Sequence, residues 1–82
     1  MRDFTADEAR AIGESIGADW SSVSLDELRI GLSVELEHGT RDPQTDVTHD
    51  DLALTGKIAL AHLKEIPDYY TRLKNMEADA GA

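Results

Sequence analysis

Two short stretches of this chain pair a carboxylate with an imidazole at helical spacing: Glu35-x-x-His38 and His62-x-x-Glu65. Residues three apart on a helix share a face, and helical bundles build internal metal sites from this arrangement. Together Glu35, His38, His62 and Glu65 offer two nitrogens and two oxygens, a donor set suited to Fe, Mn or Zn. Axial distance works against convergence in a simple hairpin. There His38 lies beside the start of the next helix, and His62 stands about 13 residues, or roughly 20 Å, up the axis. A crossing connection removes the objection, because residues 39–48 can span up to roughly 33 Å when extended; a dimer removes it too. The competing reading assigns both pairs to capping and to ordinary ion pairs between neighbouring helices.

A second constellation, Glu37, His38, Asp42, Asp46, His49, Asp50 and Asp51, gathers around one polar stretch. It lacks the mid-loop glycine and closing glutamate of an EF-hand. A simpler assignment gives Asp42 an Asx turn before Pro43, Asp50 and Asp51 the positive end of a helix dipole, and His38 the negative end of another. Ser15, Ser21, Ser22, Ser24 and Ser33 sit in no motif that joins a nucleophile to a base. Thr55-Gly56-Lys57 lacks the upstream glycine of a phosphate loop and lies inside a helical pattern. The absence of cysteine removes disulfides, thiolate ligands and cysteine nucleophiles together. No catalytic residue and no cofactor site emerges from these patterns.

The elements that must position these side chains announce their own starts. An apolar residue, a hydroxyl and an acid three positions later recur as Phe4-Thr5-x-x-Glu8, Val23-Ser24-x-x-Glu27 and Val47-Thr48-x-x-Asp51. Each copy can form a capping box, and the leading apolar residue can staple onto Ala9, Leu28 or Leu52. The expected fold is all-α: a compact bundle of four short helices at about 6–16, 25–38, 49–65 and 67–78, with one long polar loop at 39–48 and a frayed tail at about 78–82. It forms one domain.

Gly17 is placed to end the first helix in a left-handed turn, Gly39 to stop the second, and Pro67 to open the fourth at its first position. Leu25, Leu28, Leu32 and Leu36, with Ile30 and Val34, should face inward. The third helix has two apolar stripes, Leu54, Ile58, Ala61 and Leu52, Ala59, Leu63, Ile66. That makes it either the central helix or partly an association surface. Gly31 and Gly56 permit close approach of another element. Trp20 lids the core or anchors a partner. Of the adjacent tyrosines, Tyr69 is assigned to the core and Tyr70 to partner binding, with its hydroxyl outward.

Composition sets the outer bounds. A fold of 82 residues buries only roughly 60–65% of the surface its unfolded chain exposes, so stabilisation by a partner, a metal or self-association fits its size. Seventeen acids against eight bases, a net charge of -9, disfavour direct nucleic-acid binding and agree with solubility. No window approaches the roughly 18 apolar residues of a membrane span, and no leader-like segment opens the chain. A cytoplasmic protein without membrane contact is expected.

From Gly31 to Glu77 the string GLSVELEHGTRDPQTDVTHDDLALTGKIALAHLKEIPDYYTRLKNME resembles a small family of domains of unknown function. Its members carry a VELEHG helix end, a DPxTNVTxDD-like loop, a TGKIAxAHLxExPDYY helix pair and an FTxEEAxxIGxxLGIDW opening. The resemblance implies a small stand-alone protein, in some cases phage-encoded and then virion-associated. Two departures are visible: Asp46 stands where the pattern has Asn, and the first helix exits through Ile16-Gly17-Ala18-Asp19-Trp20.

The function expected from these readings is that of a non-enzymatic acidic interaction or accessory module. Its partner is another protein or a second copy in a homodimer, met through Trp20, Tyr70 and the surplus apolar face of the third helix, with no cofactor. The alternative is a helical protein holding Fe, Mn or Zn on Glu35, His38, His62 and Glu65. A further alternative is an acidic inhibitor that imitates DNA, which requires carboxylates lined up at phosphate-like spacing.

Overall fold

Capping chemistry fixes where the chain turns into helix, and in the first helix every expected bond is made. The computed structural model describes residues 2–41, 43–44, 46 and 51–81, and its four helices are α1 (Ala6–Ser15), α2 (Leu25–Arg41), α3 (Leu52–Glu65) and α4 (Tyr69–Gly81). The Thr5 hydroxyl accepts from the Glu8 amide at 3.1 Å, and the Glu8 carboxylate accepts from the Thr5 amide at 3.0 Å. Thr5 and the bond it makes hold the Glu8 carboxyl below its ordinary range. At the other end Gly17 adopts φ 79°. The Ala18 amide reaches back to the Gly13 carbonyl and the Gly17 amide to Glu14, the double closure that satisfies the last carbonyls of a helix.

The second and third starts depart from the capping-box expectation. Ser24 does accept from the Glu27 amide, at 3.3 Å, but the Glu27 carboxylate turns away to α4. Asp51, rather than Thr48, caps α3 by accepting from the Leu54 amide at 3.0 Å, so this helix begins three residues later than expected. Thr48 and Val47 lie outside the described residues, as do Asp42, His49 and Asp50 of the acidic constellation. Nor does Gly39 stop α2. The helix continues to Arg41, whose guanidinium bonds the Glu37 carboxylate one turn back at 2.9 Å. Pro67 stands in the turn before α4 rather than at its first position.

One core cluster joins the helices: Phe4, Ala9, Val23, Leu28, Leu32, Ala59, Leu60, Leu63 and Tyr70 are buried. Both described staples, Phe4 with Ala9 and Val23 with Leu28, therefore end inside the core. The central helix is α2, which packs against all three others, most extensively against α3. Among the described residues no strand is present, and no helix is long and apolar enough to cross a membrane. Gly13, Gly31 and Gly56 each stand where another element packs too closely for a Cβ. A Cβ at Gly13 would come within 2.4 Å of the Trp20 ring, which is why a poor helix former stands in the middle of α1. At Gly56 it would meet Ile12 and Ile16 of α1 at 3.0 and 3.1 Å.

Candidate functional site

On α2, Glu27, Gly31 and Glu35 fall four residues apart, which places them one above another on a single face. All three meet the first turn of α4. The Tyr70 ring lies on Gly31, so close that a Cβ there would stand 2.4 Å from the ring carbon Cε2. The Tyr70 hydroxyl donates to Glu35 Oε2 at 2.9 Å. Glu27 Oε1 accepts from both the backbone amide and the hydroxyl of Thr71, so a carboxylate of one helix caps the N-terminus of another, where the dipole favours negative charge. Tyr70 is 1% exposed and Glu27 6%. Glu27 Oε2 is buried without a hydrogen-bond partner among the described residues.

From α3, His62 closes the group. Its Nε2 lies 3.6 Å from Glu35 Oε2, beyond hydrogen-bond range, so the two interact as an ion pair only when the imidazole is protonated. The His62 ring stacks on Tyr69, with centroids 4.4 Å apart and planes 4° from parallel. Tyr69 meets Tyr70 edge to face at 5.0 Å. Burial above all, followed by the charge of Glu35 and the bond made to it, drives the Tyr70 hydroxyl far above the ordinary tyrosine range. Near neutral pH it therefore keeps its proton and acts as a donor.

Helix geometry also decides what becomes of the four metal-ligand candidates. Glu35 and His62 face each other across the α2–α3 contact, whereas His38 and Glu65 are exposed. Members of an i,i+3 pair differ by about 60° around the axis, enough to turn one toward the neighbour and the other to solvent. Among the described residues no group of three or more His, Asp or Glu side chains is placed to hold a metal ion. Of Glu35, His38, His62 and Glu65, the fold brings Glu35 and His62 together and leaves His38 and Glu65 on the exposed surface.

Burial runs opposite to expectation for the two tyrosines: Tyr70 is the largest fully buried side chain among the described residues and Tyr69 is half-buried. As an anchor for a partner Tyr70 is out of reach. Trp20 is half-buried with its ring against Gly13 and the core, as a lid should be.

Among the described residues two surfaces stand open. The outer arc of α3 carries Ala53, Leu54, Lys57, Ala61, Lys64 and Glu65, all exposed, with half-buried Ile58 beside Leu54. Leu54 is 43% exposed. Between α2 and α4 runs a cleft of about 350 Å³, floored by Ile30, Val34 and Leu73 and touched by the Tyr70 ring. Glu27, Glu35 and His62 do not line it. Glu27 and half-buried Glu35 stand apart from the cleft lining, and the hydrogen bonds they accept are those that dock α4.

The signal that could have revealed this group is the spacing Glu27-x-x-x-Gly31-x-x-x-Glu35 opposite Tyr69-Tyr70-Thr71. It was hidden because Glu27 also completes a capping-box pattern. Residues 9–79 match the family described as Protein of unknown function (DUF5661). No curated protein and no solved structure matches the chain significantly.

Proposed function

Because the chain belongs to the DUF5661 family, whose description carries no activity, we propose its function from the geometry: a non-enzymatic module that binds another protein through the outer face of α3. The observation that carries this reading is a contrast of charge. The chain bears -9 overall, yet α3 has one acid, Glu65, and its exposed arc sets Lys57 and Lys64 along the apolar stripe of Leu54, Ile58 and Ala61. Neither lysine has an ion-pair partner among the described residues. Such a face suits an acidic amphipathic helix, whose apolar residues would cover Leu54 while its carboxylates meet the lysines. The resemblance to domains that are in part phage-encoded extends the proposal to an accessory role in the cytoplasm or on a virion.

Site-specific photo-crosslinking in the native cell tests this. A photoreactive residue at position 54 or 61 should give one dominant adduct with an acidic segment. Lys57→Glu combined with Lys64→Glu should abolish that adduct, and the same probe at exposed Asp7 on α1 should not form it. Adducts of equal yield at all three positions, or adducts indifferent to the lysine reversals, would refute the reading.

A further inference from the structure

The rim of the α2–α4 cleft carries both signs of charge on a strongly acidic chain, although Arg29 is already paired with Asp26. On it Asp3 and Glu77 stand against Arg29 and Lys74, two acids and two bases. Two copies of a chain bearing -9 repel one another over most of their surfaces. At this cleft Lys74 offers a positive charge beside the negative charge of Glu77. Lys74 and Glu77 are exposed, lie three residues apart on α4, and have no ion-pair partner among the described residues. Their neighbour Leu73 is half-buried in the cleft floor, and Met76, one step round the helix, is 60% exposed.

We infer that a second copy of this chain closes the cleft, with α4 lying antiparallel against its symmetry mate to form a two-fold dimer. In an isologous contact residue i meets j and j meets i. Antiparallel apposition centred between positions 74 and 77 therefore sets Lys74 against Glu77 of the second copy and Glu77 against Lys74 of the second copy. One spacing on one helix thereby yields two reciprocal ion pairs. The apolar floor of Ile30, Val34 and Leu73, together with Met76, loses its contact with water. A foreign anion would find only half of this rim complementary, whereas a second copy matches both signs. The surface is separate from the outer face of α3, so the failure of either proposal leaves the other standing.

Charge reversal distinguishes this pairing from any other association. Sedimentation equilibrium is run from micromolar to millimolar protein at low ionic strength on the native chain, K74E, E77K and the K74E/E77K double variant. The native chain should associate to a dimer. Each single reversal should weaken dimerisation by about tenfold or more, and the double variant, which restores opposite signs across the two-fold axis, should recover most of the loss. Thermal melts monitored by circular dichroism check that all four chains fold alike, as exposed positions permit. A native chain that stays monomeric at every concentration overturns the inference, and so does a dimer that both single reversals leave unchanged.

Discussion

The α1–α3 unit and α4 are held by different physics. Within α1, α2 and α3, Ala9, Leu28, Leu32, Ala59 and Leu63 are almost without solvent exposure, and burial of apolar area is the cohesive force. Among the described side chains of α4, Tyr70 is the one buried hydrophobic residue. Around it the helix is fixed by polar bonds: Tyr70 to Glu35, and Thr71 to Glu27. An apolar contact tolerates small slips, whereas a buried carboxylate that loses its donor incurs a desolvation cost with no offset. The first three helices should therefore behave as one cooperative unit, and α4 as an arm whose attachment depends on a few named atoms.

The sharpest break should come from Tyr70→Ala. Loss of a fully buried aromatic ring costs about 3–5 kcal/mol, a large share of the roughly 4–12 kcal/mol available to a chain of this length. Chemical denaturation should show a lower midpoint together with loss of α4 helicity.

Glu27→Ala comes next. It strands the Thr71 amide and hydroxyl at the start of α4, at about 1.5–3 kcal/mol for bonds to a charged acceptor. Urea melts measure the loss, which should exceed that of Asp26→Ala, whose partner Arg29 forms an exposed ion pair.

Gly31→Ala sharpens the comparison. Its new Cβ would meet the buried Tyr70 ring at 2.4 Å, and overpacking of this kind costs about 1–3 kcal/mol. Gly17→Ala should cost less. It adds a side chain where nothing lies within 4 Å, and its penalty is the backbone strain at φ 79°, about 1–2 kcal/mol.

The smallest effect belongs to the α1 cap. Because the folded-state Glu8 carboxyl is held below its ordinary value of 4.5, its stabilising contribution is complete above that value. The contribution is lost as pH falls through the lowered folded value. The difference in melting temperature between the native chain and Glu8→Gln should therefore be constant near neutrality and shrink below about pH 4.5.

The fold was largely legible because its signals are local. Thr5, Glu8 and Gly17 declare the two ends of α1 within a few residues of sequence, and the apolar spacing from Leu28 to Leu36 declares the inner face of α2. Candidate-site residues were legible only singly. Glu35 and His62 each stood out, but each was paired with a neighbour on its own helix, and no periodicity reveals a bond between helices. Tyr69 and Tyr70 are adjacent and about 100° apart around the axis, so spacing alone cannot say which enters the core. Glu27 fitted a capping box so well that its tertiary role was masked. Gly39 carried a stop signal that the Glu37–Arg41 pair and burial of the glycine override.

Native-state hydrogen exchange resolved by residue, on the native chain and on Tyr70→Phe, tests the two-part account most directly. The phenylalanine keeps the ring on Gly31 and removes only the bond to Glu35, a loss of about 1–2 kcal/mol. The account predicts that α4 amides exchange through a local opening of lower free energy than α2 and α3 amides, and that Tyr70→Phe lowers the opening energy of α4 by more than theirs. Equal protection of all four helices, with a uniform drop in the variant, would contradict it and make α4 part of a single cooperative core.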